Sequence, residues 1–282
     1  MLRFVLASFG SLLSCAIFTV AAEEKANTNA PCQITPTYSS TILRRSGTNS
    51  IILDNGSEVV LAGLLLPTAL DIPAKTATWP PEKKAAEILT RLIVGKSLHF
   101  ADTNTSRDRY GRRIAHAFLR KNDKTQWIQA RLVELGQARV DVEALSLACA
   151  ETLLKKERTA RNQSRGLWRY TSYAARPTSA PWRLLKHRGS YQIVEGTVTE
   201  IGERRSRLFI NFGTDKQTDF TAGLFGKKAH HARLNGQPLT VLKGRKVRIR
   251  GWVSWRGGPF IHIRTLAQIA LLQPLLKEKM VD

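Results

Sequence analysis

A basic turn that runs directly into an alternating strand, residues 108–118 with the sequence DRYGRRIAHAF, limits the possible folds of this chain more than any other stretch. Gly111 can adopt the positive φ that a tight turn needs at little steric cost. The apolar residues that follow predict a short, half-buried strand. Because a side chain at such a junction has a fixed direction, Arg109, Arg112 and Arg113 are expected to hold their charges in defined positions. The alternative is a hairpin turn whose charges are only solvated.

Short segments of alternating apolar residues surround this turn. Asn55-Gly56, between two of them, supplies the positive φ of a tight hairpin. One helix is predicted to begin after Pro80-Pro81, and another to end at Gly136. The predicted strands cover residues 40–44, 50–53, 58–66, 97–101 and a segment from 114 onward, and the predicted helices cover residues 82–94, 126–135 and 144–161.

The order of these elements, the DRYGR turn and the GLW sequence at 166–168 resemble the staphylococcal nuclease (thermonuclease) family over about residues 38–170. This resemblance implies a mainly β fold with packed helices (α+β), built on a five-stranded OB-type barrel. In that family the arginine that closes the motif contacts the scissile phosphate. Arg112 matches that arginine, so the resemblance implies a phosphate contact there.

The other catalytic positions of the family are changed. The resemblance implies a Ca²⁺ ion held by carboxylates, a glutamate that acts on the attacking water, and two arginines on the phosphate. The third strand of the family follows the pattern RLLGIDAPE, and here the matching residues 60–68 are VLAGLLLPT. The first arginine is therefore Val60, the metal aspartate is Leu65 and the glutamate is Thr68.

A second metal aspartate of the family falls on or beside Asn49. Asp71 is the one nearby acid that could substitute, and a single loop carboxylate is a poor site for an ion that takes six or more oxygens. We therefore expect no metal site and no cofactor, with Ca²⁺ required only if the domain is an active nuclease. Arg112 is the only member of the catalytic set that remains.

The second half of the chain changes pattern after a Ser-, Ala- and Pro-rich linker at residues 171–185. Five short strands with Gly-rich turns predict a second small β-barrel over residues 186–275. This part resembles the OB-type module that follows thermonuclease domains in some bacterial secreted proteins.

One predicted strand of the second barrel combines charge with nearby aromatic residues. Lys246, Arg248 and Arg250 alternate with apolar residues, so one face of the strand is cationic. Together with Trp255 they predict binding of single-stranded nucleic acid, in which cations contact the backbone and rings stack on bases. The alternative is a cationic face that only confers solubility.

The charge balance restricts the possible partners. The 282 residues include 44 Lys and Arg against 22 Asp and Glu, a formal net charge of +22. Such an excess disfavours cationic partners and favours nucleic acid or another polyanion. Arg109, Tyr110 and Arg113 of the basic turn are further candidate contacts. Protein partners are not indicated by any motif.

The N-terminus predicts export. Residues 1–22 have the pattern of a secretory signal peptide, followed by a flexible leader at residues 23–37, so we expect a periplasmic or secreted protein without a transmembrane anchor after cleavage. Cys15 also lies in a sequence that resembles a lipoprotein box. Cys32 and Cys149 are then the two remaining cysteines, and either form one disulfide or are two unrelated buried thiols.

Three hypotheses follow from the sequence. The first is an exported thermonuclease-like protein that has lost catalysis and binds nucleic acid or another polyanion. The second is an active phosphodiesterase that cleaves DNA or RNA with acids outside the aligned positions. The third is a periplasmic scaffold whose barrels bind protein.

Overall fold

The computed structural model describes residues 32–72, 79–122, 124–215, 217–226 and 229–272. The predicted signal peptide, Cys15 and most of the predicted leader lie outside the described residues. No helix among the residues that are described is long and apolar enough to cross a membrane.

Five strands form the first barrel. β1 (Tyr38–Ser46) pairs with β2 (Ser50–Leu53) on one side and with β5 (Ser97–Arg107) on the other. β2 pairs with β3 (Glu58–Leu61), and β5 pairs with β6 (Arg113–Lys121). β3 and β6 then pair in parallel and close the barrel. The predicted mainly β fold with an OB-type barrel is confirmed.

Helices and short strands cover this barrel. Helix α1 (Pro80–Ile93) begins at its two prolines and turns the side chains of Ala85, Leu89 and Ile93, four residues apart, into the core. The remaining elements of the first barrel are β4 (Leu64–Leu65), α1 (Pro80–Ile93), β7 (Lys124–Trp127), α2 (Ile128–Glu134), β8 (Arg139–Val140) and α3 (Leu147–Asn162).

Three predicted elements differ from the structure. The strand expected at 58–66 is split because Gly63 adopts a φ of 68°, and an added Cβ there would lie 2.6 Å from the side chain of Leu145. β5 is longer than predicted because its polar half continues to pair with β6. The helix expected at 126–135 begins at Ile128, since β7 first forms a hairpin with β6.

The second barrel repeats the strand order of the first. β16 (Lys246–Trp255) pairs with β10 (Tyr191–Thr197) and with β17 (Pro259–Ile263). β17 pairs in parallel with β13 (Thr221–Phe225), β13 pairs with β12 (Arg207–Asn211), and β12 pairs with β11 (Glu200–Arg204). β10 and β11 are separated by two residues, so the chain itself closes the cycle. The short strands β14 (Arg233–Leu234), β15 (Gln237–Pro238) and β18 (Ile269–Leu271) complete the described part of this barrel.

The segment predicted as a linker, residues 171–185, connects the barrels but is not an open loop. It contains β9 (Arg176–Pro177), which pairs in parallel with β10, and α4 (Pro181–Leu185). Thr178 and Leu184 are buried, Leu184 in the core of the second barrel. The Pro- and Ser-rich composition indicated a connection but did not reveal the apolar residue that attaches it.

Candidate functional site

The basic turn is built as the sequence predicts. Gly111 has a φ of 79°, and its N–H donates to the carbonyl of Asp108 at 3.0 Å. The Asp108 carboxylate accepts the backbone N–H groups of Tyr110 and Arg112 at 2.9 and 3.0 Å. This carboxylate therefore sets the direction in which the turn presents its side chains.

Arg112 is held by two carboxylates. Its Nε donates to Oδ2 of Asp108 at 2.8 Å, and its Nη1 lies 3.4 Å from Oε1 of Glu58. The hydrogen bond with Asp108 raises the pKa of Arg112, and hydrogen bonding from Ser50 lowers the pKa of Glu58. The guanidinium is one third exposed and keeps a fixed position, but its charge is partly neutralised.

Arg113 also has partners within the barrel. Its Nη2 lies 2.5 Å from Oδ2 of Asp102, and its guanidinium lies 4.1 Å from the ring centroid of Tyr38. Burial, and then the charge of Asp102, raise the pKa of Tyr38 to about 12. Arg113 thus links β6 to Tyr38 of β1 and to Asp102 of β5, so it has a structural role whether or not it contacts a ligand.

Arg109 and Tyr110 form the exposed part of the turn. The Tyr110 side chain is 67% exposed and its ring lies 4.8 Å from the Arg109 guanidinium and 5.3 Å from that of Arg112. A Nη2–H of Arg109 donates to the Tyr110 hydroxyl at 2.7 Å. A planar ring between two cations is an arrangement that can contact a phosphate together with a base.

The residues at the other catalytic positions have structural roles. Val60 is half-buried on β3, paired with Ser50 on β2 and Ile114 on β6. Leu65 is half-buried on β4, opposite Arg139. The Thr68 hydroxyl accepts the N–H of Leu70 and caps the short helical turn Ala69–Asp71.

Asp71 is not available as a substitute ligand. Its carboxylate is buried, accepts Nη2 of Arg139 at 2.7 Å and the hydroxyl of Tyr173 at 3.1 Å, and also accepts the N–H of Thr68 at 3.0 Å. The Asn49 amide donates to the carbonyl of Leu64. These residues do not fit a Ca²⁺ ion, which needs several oxygen ligands. In the described part of the chain, no three His, Cys, Asp or Glu residues form a group that could hold a metal.

A comparison with protein families identifies this part of the molecule. Residues 59–170 match the family model described as staphylococcal nuclease homologue. The chain contains a staphylococcal nuclease-like domain. The match includes the basic turn and the GLW sequence but begins after β2. A search among curated proteins gives no match.

The structure contradicts the predicted exposed cationic face of β16. Arg250 is 4% exposed, and its Nη2 donates to Oε2 of Glu157 on α3 at 2.8 Å. Arg248 is mostly buried and donates to Oε1 of Glu195 at 2.7 Å. The alternation along the strand is correct, but the two arginines do not face solvent: Arg250 is bonded to the nuclease-like domain, and Arg248 is bonded to the neighbouring strand β10.

The other two predicted residues of this region are exposed. Lys246 lies at the exposed start of β16, and Trp255 at its end is 50% exposed. Arg248 and Arg250, which lie between Lys246 and Trp255 along the strand, are buried or mostly buried. The continuous basic strip that the sequence suggested is therefore absent from β16. Lys246 and Trp255 therefore remain individual candidate contacts.

The sequence did not indicate the polar groups that join the two barrels. Arg139 donates to the carbonyl of Tyr191 at 2.7 Å, and the Tyr191 hydroxyl donates to the carbonyl of Val140 at 3.0 Å. Burial raises the pKa of Tyr191. A single Arg and a single Tyr in short strands give no local signal of such pairing, because the partners are about fifty positions apart in the chain.

A disulfide joins Cys32 to Cys149 in the first turn of α3. It attaches the segment before β1 to the helix that packs against the second barrel.

Proposed function

We propose that this nuclease-family protein binds nucleic acid or another polyanion without cleaving it. The observation that carries the proposal is the environment of Asp71, the acid that the sequence offered as a substitute metal ligand, whose carboxylate is bonded to Arg139 and Tyr173. Val60, Leu65 and Thr68 occupy the positions where the family has an arginine and two acids.

Without these groups, the domain would lack the contributions that phosphodiester hydrolysis needs from the protein. Leu65 and Asn49 offer no carboxylate for a hard cation, Thr68 cannot act as a base on water, and Val60 cannot stabilise charge on the phosphorane. Arg112 alone would contribute a phosphate contact. Such a domain keeps the shape and part of the charge of a nuclease but lacks its chemistry.

Binding is supported by the charge. With a net charge of +22, release of counterions from a phosphate backbone favours association whatever the nucleotide sequence. Arg109 and Tyr110 offer exposed contacts on the turn, whereas Arg112 and Arg113 are partly neutralised by acids.

We further propose that the protein acts outside the cytoplasm. The N-terminal pattern of a signal peptide supports export, and the bonded pair Cys32–Cys149 is suited to an oxidising compartment.

The test is a cleavage assay of the purified mature protein on DNA and RNA, with Ca²⁺ and with a chelator. We expect background cleavage in both conditions and retention of the intact oligonucleotide on the protein at low salt. Chelator-sensitive cleavage that disappears in Arg112→Ala would establish the active phosphodiesterase instead. Absence of both cleavage and polyanion binding at low salt would favour the protein-binding scaffold.

A further inference from the structure

The outer surface of the second barrel carries a group of aromatic side chains. Along β12, Leu208 and Ile210 point into the core, so Phe209 between them points outward. The strand register places Phe209 between Gly202 of β11 and Gly223 of β13, and Gly223 beside His262 of β17. We call the group formed by Phe209, Phe225, Phe260 and His262 the aromatic patch.

Phe225 is the centre of the aromatic patch. Its ring centroid lies 5.9 Å from that of Phe209, 5.9 Å from that of Phe260 and 4.9 Å from that of His262. Phe209, Phe225 and His262 are half-buried, whereas Phe260 is covered by its neighbours. Aromatic rings that point away from a core and remain partly exposed are available to a flat ligand.

The two glycines beside Phe209 shape the patch. An added Cβ on Gly223 would lie 2.6 Å from the ring of Phe260, so the rings lie directly over this backbone. An added Cβ on Gly202 would have its nearest neighbour at 3.6 Å, in the side chain of Asn211. The surface is therefore filled by rings at Gly223, whereas at Gly202 a Cβ would make only ordinary contacts with Asn211 and Phe209.

Arginines surround the aromatic patch. The Arg256 guanidinium lies 4.8 Å from the ring centroid of Phe225 and 5.6 Å from that of Phe260. In the strand register, Arg207 on β12 lies opposite Phe225 of β13 and opposite Arg204 of β11. The side chains of Arg204, Arg207 and Arg256 are exposed. In contrast, Arg248 and Arg250 of β16 form ion pairs with acids, and so do Arg112 and Arg113 of the basic turn.

We propose that the aromatic patch and Arg204, Arg207 and Arg256 form a binding site for single-stranded nucleic acid. The proposal rests on the proposed polyanion binding and assigns its ligand class and place. Unpaired bases can stack on the rings while the arginines contact the phosphates. Duplex nucleic acid offers the same phosphates, but its bases are already stacked on one another. The charge around the rings favours this ligand over an apolar peptide.

Two variants test the site without changing the barrel core. Phe209→Ala removes an outward ring, and Gly202→Glu places a carboxylate beside that ring at a position where an added Cβ has no neighbour closer than 3.6 Å. Trp182→Ala is the matched control for the first, because Trp182 is 57% exposed and lies under the Arg183 guanidinium on α4. Gln163→Glu, at the exposed end of α3, makes the same charge change as the second.

The measurement is the affinity of the mature protein for a labelled single-stranded oligonucleotide, for the same sequence as duplex, and for heparin. We expect Phe209→Ala to weaken single-strand binding about tenfold, since stacking of one base on an aromatic ring is worth about that factor. It should leave heparin binding unchanged. Gly202→Glu should weaken single-strand binding at least as much, and both controls should match the wild type.

Three outcomes would overturn the inference. If both patch variants bind single strands as the wild type does, another surface is the site and the proposed polyanion binding still stands. An equal loss of heparin affinity in Phe209→Ala would exclude base stacking as the cause. If the wild-type protein binds none of the three ligands, the proposed function and the site fail together, and a protein ligand becomes the alternative for the patch.

Discussion

Glu157 lies between the two barrels, and each of its carboxylate oxygens accepts a hydrogen bond. Oε1 accepts the N–H of Val140 at 2.8 Å, and Oε2 accepts Nη2 of Arg250 at 2.8 Å, and the residue is 1% exposed. A buried ion pair of this kind can contribute little net stability, because desolvation offsets the attraction. Removal of one partner, however, leaves the other charge buried and uncompensated.

We therefore predict that Glu157→Ala lowers the free energy of unfolding by about 3–5 kcal/mol, as measured by urea denaturation. Glu143→Ala is the control, because its partner Arg264 has a side chain that is 64% exposed, and such pairs contribute about 0–1 kcal/mol. If the two variants lose similar amounts of unfolding free energy, burial does not make the Glu157–Arg250 pair more important than an exposed pair, and the prediction is wrong.

His116 is a buried histidine for which the structure predicts a pH-dependent contribution to stability. It is 5% exposed, its ring meets Trp127 edge-on, and burial lowers its pKa from 6.5 to about 4. The unfolded chain therefore binds a proton between about pH 6.5 and pH 4 that the folded protein does not. Stability should fall as the pH falls through this window, by up to about 1.4 kcal/mol per pH unit from this residue.

The measurement is the free energy of unfolding of wild type and His116→Gln at several pH values between 4 and 7. We expect a shallower slope in the variant. His187, whose pKa is also lowered to about 4 by burial and then by Arg176, should account for part of the slope that remains. Parallel curves for the two proteins would contradict the assignment to His116.

Sequence patterns predicted side-chain directions better than they predicted environments. The alternation in β16 correctly separates Arg248 and Arg250 from Val247 and Ile249. It could not show that the arginine face meets α3, because Glu157 lies 93 positions from Arg250. The same limit applies to Phe209, whose outward direction follows from alternation but whose neighbours depend on lateral strand register.

Among the elements, α3 connects most parts of the molecule. It carries Cys149 at one end and Arg161, 3.7 Å from Glu195 of β10, near the other. The disulfide with Cys32 attaches the segment before the first barrel to this helix. A crosslink that spans 117 positions strongly restricts the unfolded chain.

We predict that Cys32→Ser lowers the free energy of unfolding by about 2–5 kcal/mol relative to the oxidised wild type. Under reducing conditions the variant and the wild type should become nearly equal in stability. Alkylation of the mature protein without reductant gives an independent check. Two reactive thiols in that experiment would show that the bond does not form.

At the scale of the whole molecule, two barrels of the same strand order are joined by buried polar contacts. Arg139 reaches Asp71 and the carbonyl of Tyr191, and Arg250 reaches Glu157, so each barrel supplies partners for the other. The family resemblance predicted each barrel and the missing catalytic groups. It could not predict this interface, which buries Arg250, one of the arginines predicted to bind nucleic acid.

The salt dependence of binding is the most direct test of whether this protein binds nucleic acid without cleaving it. We predict that the affinity of the mature protein for a single-stranded oligonucleotide falls linearly on a log–log plot against salt concentration, with a slope of about −0.7 per phosphate contacted. Several contacts are expected, from the arginines of the second barrel together with Arg109, and the oligonucleotide should remain intact in Ca²⁺. Negligible affinity at low salt, or affinity that does not change with salt, would contradict the proposed binding of nucleic acid.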